Sequence, residues 1–330
     1  MSDEITRPVI AVDAMGGDHG PAVVVPGAMA NLTADSPYQL AFYGDAAAIG
    51  TELDGIASDL PVTVVPCTQD IDMGEAPASA IRKRPDSPIV KAMTHQKAGN
   101  VQAVVSAGST GAMVAASLII LGRLSGVDRP AIATIIPTSS REVLLLDAGA
   151  NVQCTPEQLV CFAQMGVVFA REIMGKAEPT VGLINIGSEA KKGSELTVAT
   201  HALLAQADLC FHGNVEGNEI MRGPSDVLVT DGFTGNTVLK MVEGVGHFLG
   251  GVARRPDLDS DQQKAFGTVL GYMQSTFTYE IYGGAMLLGV NGISIIAHGR
   301  SSAFAMGNAV RVAWEQVHAD LPARTAAALS

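Results

Sequence analysis

The stretch Val181–Leu196, VGLINIGSEAKKGSEL, concentrates residue types that bind anions. An apolar strand, Val181 to Ile184, runs into a polar, glycine-punctuated loop that carries Lys191 and Lys192 side by side. A helix is predicted behind Gly193, with Ser194 placed to cap it. Helix N-terminal amides, a pliable glycine backbone and a cation make a ready anion site. A Lys–Lys pair on its own equally fits a solvated basic turn. Three other loops share the design. DAMGGDHGP follows the apolar run Val9–Val12: Gly16 and Gly17 permit a sharp turn close to a ligand, and Asp13, Asp18 and His19 bring polar groups to it. SAGSTGA follows Ala103–Val105 and sets Ser109 and Thr110 before an apolar helix, so its amides can wrap a phosphate or a pantetheine. TDGFTGN follows Val227–Val229 and brings Asp231 to the start of another helix. Each of these loops, taken singly, also fits a plain packing turn. Arg82, Lys83 and Arg84 form a cation run of the kind that is usually a solvated face, and also the best local docking patch for an acidic partner.

The elements that position these loops recur as strand, glycine loop, helix. Further strands are expected at Leu40–Tyr43, Val62–Val65, Ala131–Ile136, Val143–Leu146, Asp208–His212 and Ile293–Ile296. Val143–Leu146 ends in DAGAN, Asp147–Asn151. Thr155-Pro156-Glu157-Gln158 then carries two helix-start signals, a capping box and Pro at the first helical position. That helix places Leu159, Phe162, Met165, Val168 and Phe169 inside. Asn214, Glu216 and Asn218 cluster in a loop after Asp208–His212, and His212 reads as a core or edge histidine. Val238, Val242, Val245, Leu249 and Val252 share one helix face. Ser260-x-x-Gln263 reads as the cap of another helix, with Phe266, Val269, Met273 and Phe277 along one side as core or dimer interface. The pattern predicts a three-layer α/β/α sandwich with a mainly parallel sheet. In such sheets ligands sit beyond the carboxyl ends of the strands, where the four loops are expected to gather. Residues 1–8 are expected to be a flexible terminus, 9–317 a single α/β domain with room for two lobes around a cleft, and 318–330 a frayed tail.

Composition narrows the function classes. The chain has 330 residues, 47% of them apolar and 16% charged, with 36 glycines, which suits a buried sheet with tight turns. A net charge of −12 excludes a nucleic-acid binder that works by bulk charge. Cys67, Cys154, Cys161 and Cys210 form no CxxC pair or zinc spacing and read as small core residues in a reducing cytosol. MSDEITRP looks like neither a signal nor a transit peptide. No charge falls between Lys97 and Arg123, but the continuous apolar part, Ala112–Leu121, is too short to span a bilayer and reads as buried helix. There is no GxGxxG opening a βαβ unit, no GxxxxGK[ST], no HExxH and no GxSxG. The lack of a nucleophile–base pair suits a reaction whose nucleophile arrives as a substrate.

VDAMGGDHGP, SAGSTGA, DRPAIA, LLLDAGANV, GLINIGSEAKKGSELT, GNVEGNEI, DVLVTDGFTGNTVLK and YGGAMLLGVNG, in this order, resemble the bacterial acyl-ACP:phosphate acyltransferase family known as PlsX. The resemblance runs from about Val9 to about Ala313. It implies a fold similar to phosphotransacetylases and isopropylmalate dehydrogenases. It implies attack of inorganic phosphate on the thioester of an acyl-[acyl carrier protein], giving an acyl phosphate and free carrier protein. It further implies a homodimer in the cytoplasm, peripheral contact with the membrane, delivery of product to a membrane glycerol-3-phosphate acyltransferase, and no cofactor or metal. Carried over residue by residue, the functional pair falls on Lys192 and Asn236. Asp13, Gly16, Gly17, Asp18, Ser109, Thr110, Lys191 and Asp231 are further candidates for phosphate or substrate binding, and Arg82, Lys83 and Arg84 for carrier docking. Two positions depart from the family pattern: Ala190 stands where an acidic residue is common, and Ser109 where Asn is common. The segment Gly250–Tyr279 has only Arg254, Arg255 and Lys264 as cations, a weak basis for membrane contact. Three rival readings share parts of this pattern: an acyl-CoA-dependent phosphotransacetylase-like enzyme, a non-catalytic carrier-binding scaffold, and a metal-dependent dehydrogenase.

Overall fold

The apolar runs and glycine breaks form an alternating α/β chain in the computed structural model, which describes residues 7–56, 59–72, 74–255, 257–277 and 279–330, the side chains of 247 and 273–279 excepted. In chain order the elements are β1 (Val9–Asp13), α1 (Pro21–Met29), β2 (Gln39–Gly44), α2 (Ala46–Leu53), β3 (Val62–Pro66), α3 (Pro77–Lys83), α4 (Pro88–Lys97), β4 (Ala103–Ser106) and α5 (Thr110–Ala116). Then come β5 (Ala131–Pro137), β6 (Glu142–Leu146), α6 (Pro156–Glu172), β7 (Thr180–Asn185), α7 (Glu195–Leu204), β8 (Cys210–Glu216), β9 (Val227–Val229), α8 (Gly232–Val252) and α9 (Ser260–Phe277). β10 (Ala285–Leu288), β11 (Ile293–Ile296), α10 (Ala303–His318) and α11 (Leu321–Ala328) complete the chain. Two compact units emerge: Met1–Pro130 with Glu280–Ser330, and Ala131–Tyr279.

In the first unit the strands run β3-β2-β1-β4-β11-β10. All neighbours are parallel except β10, which is antiparallel to β11. The chain moves outward from β1 to β3, then returns to the other side of β1 with β4. That reversal puts successive crossover helices on opposite faces and makes the carboxyl ends of β1 and β4 a switch point. Register there pairs Asp13 with Ser106. Ile10, Val12, Leu40, Phe42, Val104 and Ile295 are wholly or almost wholly buried, as strands covered on both faces require.

In the second unit the order is β5-β6-β9-β7-β8, with β5 antiparallel to β6 and the other neighbours parallel. Helix α6 starts at the expected capping box, in which Thr155 accepts from the Gln158 amide and the Gln158 side chain accepts from the Thr155 amide. Its predicted inner residues Leu159, Phe162, Met165, Val168 and Phe169 are all buried. Side chains of this size contribute about 1.5–3 kcal/mol each on burial, so α6 anchors the unit. Val238 and Val242 of α8 pack against the cluster Ile136, Val143, Leu145, Ile184, Val215, Ile220 and Leu228. Further along that face Val245 is exposed.

Several expectations are corrected. The strand expected at Asp208–His212 runs instead from Cys210 to Glu216, so Asn214 and Glu216 are strand residues paired to β7 and not a loop. The cap of α9 is Asp259, which exchanges hydrogen bonds with Gln262, one residue before the pair read from sequence. Phe266 is half-buried and Val269 exposed, while the side chains of Met273 and Phe277 lie outside the described residues. The apolar stretch Ala112–Leu121 is α-helical only to Ala116 and widens into a π turn over Ser117–Leu121. There the buried Ser117 hydroxyl meets the Met113 carbonyl at 2.8 Å and Ser294 Oγ at 2.9 Å. The tail is not frayed: α11 buries Leu321 and Thr325. Residues 1–6 lie outside the described residues, whereas Arg7 donates to the Ala34 carbonyl at 2.7 Å. Cys67, Cys154 and Cys161 are half-buried and Cys210 is exposed, so none is a core residue. Burial pushes the Cys67 thiol up to about 11, against a reactive role. No helix among the described residues is long and apolar enough to cross a membrane.

Candidate active site

Each unit gathers two or more of the loops singled out by sequence at the carboxyl ends of its own strands. In the first unit, Asp13 ends β1 and Ser106 ends β4, and the register brings the Ser106 hydroxyl to 2.7 Å from Asp13 Oδ2, where it donates. The other carboxylate oxygen accepts from the Met15 amide at 3.1 Å, and Ser106 Oγ accepts from the Gly108 amide at 3.0 Å. Gly16 crosses so close to the second loop that a Cβ there would lie 2.7 Å from the Gly108 nitrogen. Only glycine lets DAMGGD and SAGSTGA meet in this way. Burial pushes the Asp13 carboxyl up to about 6, opposed by the hydrogen bonds from Ser106, Met15 and Gly16. A pocket of about 300 Å³ opens here, lined by Asp13, Gly16, Gly17, Asp18, Asp70 and Gly108 among others. The Asp18 amide donates to the Gly299 carbonyl at 2.7 Å, which ties the loop to AHGRSS. Ser109 caps α5 by accepting from the Ala112 amide at 3.3 Å, and Thr110 is the first residue of that helix. Arg82 and Lys83 are exposed at the end of α3, whereas Arg84 pairs with Glu75 at 3.6 Å.

The second unit holds the lysine loop. A pocket of about 790 Å³ lies at the ends of β7, β8 and β9, with Asn185, Thr197, Glu216, Asn218, Asp231 and Thr234 among its polar lining. Ile186, Gly193 and Ser194 also line it, so the loop bearing Lys191 and Lys192 forms one wall. Both lysines are exposed. Asn185 pins this loop: its Nδ2 donates to the Lys192 carbonyl at 2.9 Å, and its Oδ1 accepts from the Ile186 amide at 2.9 Å. Gly193 has φ +101°, and a Cβ there would lie 2.1 Å from Asn185 Oδ1 and 2.2 Å from Thr197 Oγ1. The Lys192 stem lies over Gly187, where an added Cβ would meet Lys192 Cγ at 3.1 Å. Behind the glycine turn Ser194 caps α7 by accepting from the Thr197 amide at 3.3 Å.

TDGFTGN is braced from the other side by DAGAN. Asp147, fully buried, accepts hydrogen bonds from the amides of Ile132, Gly149, Ala150 and Asn151 and from Asn151 Nδ2. The Asp147 amide donates to the Thr230 carbonyl at 3.0 Å, and the Gly232 amide to the Asn151 carbonyl at 2.8 Å. Asp231 is the N-cap of α8, with its two oxygens accepting from the Thr234 amide and hydroxyl, both at 2.9 Å. Asn236 is exposed one turn into α8, with its side chain beside Gly149. Asn185, Asp147 and Thr197 were not singled out as site residues from sequence. Their one signal is position: Asn185 and Asp147 are the first polar side chains after apolar strands that lead into glycine loops.

Chemically, a loop of exposed lysines and pinned backbone beside a polar pocket, on parallel strand ends, defines an α/β enzyme that handles an anionic substrate. Two solved structures share the architecture. A phosphotransacetylase from Streptococcus pyogenes superposes with a TM-score of 0.65 at 16% identity, covering 94% of each chain. The EutD phosphotransacetylase from Staphylococcus aureus gives 0.63 at 14% identity, covering 94% of this chain and 95% of that one. Identity this low establishes shared architecture alone.

The chain belongs to the family described as "Fatty acid synthesis protein", which it matches over residues 9–324. A phosphate acyltransferase of Desulforamulus reducens is 46% identical over 317 residues, 94% of each chain. The phosphate acyltransferase of Heliobacterium modesticaldum is 46% identical over 315 residues, 93% of each.

Proposed function

We propose that this phosphate acyltransferase takes its acyl group from an acyl-[acyl carrier protein] thioester and passes it to inorganic phosphate. A phosphate oxygen attacks the thioester carbonyl carbon and a C–O bond forms. The tetrahedral oxyanion collapses, the C–S bond breaks, and the carrier's thiolate leaves and takes up a proton. Phosphate is already a nucleophile near neutral pH and a thiolate leaves without strong acid help. The protein's task is then to position two reactants and stabilise negative charge.

Lys192 binds phosphate and the developing charge, and Asn236 orients the acyl carbonyl or its oxyanion. The observation that carries this reading is the pinned lysine loop: Asn185 holds the Lys192 backbone directly before Gly193, which lines a polar pocket. Lys191 adds charge to the same loop. Gly16, Gly17, Asp18 and Thr110 shape the second anion-collecting turn. Asp13, Ser109 and Asp231 act through loop shape, since their oxygens are occupied by local hydrogen bonds. Arg82 and Lys83, with Arg84 as a tethered neighbour, meet the acidic carrier. The enzyme works as a cytoplasmic homodimer that touches the membrane peripherally and hands its acyl phosphate to a membrane-embedded glycerol-3-phosphate acyltransferase.

Removing one such donor typically costs on the order of 10²–10³ in rate. Lys192→Ala and Asn236→Ala are each expected to show that loss in phosphate-dependent thiol release while keeping the wild-type melting temperature. Near-normal turnover in both variants contradicts the assignment.

A further inference from the structure

The polar pocket of the second unit does not end at its polar lining. Gly217, Ile220 and Val238 line it and also line a separate groove of about 380 Å³. That groove is walled by Pro137, Met221, Met241, Val242, Val245 and Gly246. Thr237 is the one polar side chain among its lining residues, and its hydroxyl already donates to the Phe233 carbonyl at 2.8 Å. The floor is well packed, because Ile220 belongs to the core cluster and Val238 and Val242 pack against it. The rim is adaptable and wet: Met221, Met241 and Val245 are 41%, 68% and 44% exposed. A polar chamber that shares Gly217, Ile220 and Val238 with an adjoining hydrocarbon-lined groove fits a ligand with one charged or polar end and one apolar tail.

We infer that this groove holds the fatty acyl chain, with the reacting carbonyl in the polar pocket and Gly246 at the tail end as a specificity-determining position. The inference rests on the acyl-transfer reading above and deepens it. A protein surface laid on the rim would account for the exposed methionines but not for the lining the groove shares with the polar pocket. Two glycines mark the length of the channel. A Cβ at Gly217, at the junction, or at Gly246, further along α8, would meet nothing within 4 Å. Side chains at these positions can therefore fill the channel without straining the fold, and at Gly246 any helix former also improves local propensity.

The test uses the full chain and carrier-bound octanoyl and palmitoyl donors. Gly246→Phe is expected to lower kcat/KM for palmitoyl relative to octanoyl by on the order of tenfold or more, since each methylene kept out of the groove costs about fourfold. In parallel, a palmitoyl donor with a photoreactive diazirine at its tail is expected to label peptides that contain Met221, Met241 or Val245. Equal effects of Gly246→Phe on both donors, or labelling confined to other peptides, overturn the inference. So does a change in the variant's oligomeric mass, which would make this face a contact between copies. Labelling of the groove in a chain with no phosphate-dependent release leaves the groove standing and removes the acyl-transfer reading. Release without labelling of the groove does the reverse.

Discussion

Gly193→Ala probes the link between backbone and chemistry most sharply. The residue sits at φ +101°, where a Cβ would fall 2.1 Å from Asn185 Oδ1 and 2.2 Å from Thr197 Oγ1. Holding alanine in that conformation costs about 1–3 kcal/mol. Relief of the clash requires Asn185 to turn, which gives up its bonds to the Lys192 carbonyl and the Ile186 amide at about 1 kcal/mol each. The total, about 3–5 kcal/mol, exceeds what it costs to rearrange an exposed loop locally. The strand beneath, with Val181 and Leu183 fully buried, is held by the sheet and stays in place. The loop therefore moves and carries Lys192 with it, and a shift of about 1 Å at such a group costs about 10² in rate. The assay is phosphate-dependent thiol release alongside thermal unfolding. The expected result is a loss of roughly 10² in kcat/KM with cooperative unfolding retained. Gly244→Ala is the control: it lies mid-helix with open space at its Cβ, and alanine there is expected to stabilise by about 0.5–1 kcal/mol. Wild-type turnover in Gly193→Ala would falsify the claim that the pinned loop positions Lys192.

Other predictions follow from single groups. Asp13, its carboxyl raised by burial to about 6, favours the fold when protonated. That contribution is fully present below the unfolded value near 3.8 and is lost as pH rises through about 6, amounting to about 3 kcal/mol. Asp13→Asn should flatten that slope in denaturant midpoints measured across the window; an unchanged slope assigns the pH dependence elsewhere. Asp147→Ala takes a buried carboxylate away from the amides of Ile132, Gly149, Ala150 and Asn151, with an expected loss of about 3–5 kcal/mol in unfolding free energy. A loss under about 1 kcal/mol would mean water replaces the carboxylate. Reversing charge at Arg82 and Lys83 should raise KM for the carrier-bound donor, and added salt should narrow the gap to wild type. Identical KM values remove this patch from carrier docking.

The sequence made the strands and loops legible because their signals are local. Val181–Ile184 and Val227–Val229 are unbroken apolar runs closed by glycine loops, and both are buried strands. The Thr155–Gln158 capping box is complete within four adjacent positions, so α6 starts where expected. What sequence left hidden depends on distant partners. Cys210–Glu216 carries Gly213, Asn214 and Glu216, weak strand formers, and is a strand because β7 pairs with it. Leu321 and Thr325 lie in an Ala-rich tail whose burial no local pattern encodes. Ser117 sits in an apolar run, and its bond to Ser294 joins residues that are far apart in sequence. Of the proposed site residues, Lys192 and Asp231 are visible in the sequence as types in glycine loops, and Asn236 through the family resemblance. The roles of Asn185 and Asp147 appear in hydrogen bonds that reach beyond their own strands, to the Lys192 carbonyl and the Ile132 amide.

The most direct test of the central claim is to mix the chain with long-chain acyl-[acyl carrier protein], with and without inorganic phosphate, and to weigh the products by mass spectrometry. The account predicts phosphate-dependent appearance of free carrier thiol together with an equal amount of acyl phosphate. Release from acyl-CoA alone, or no acyl phosphate from either donor, contradicts it.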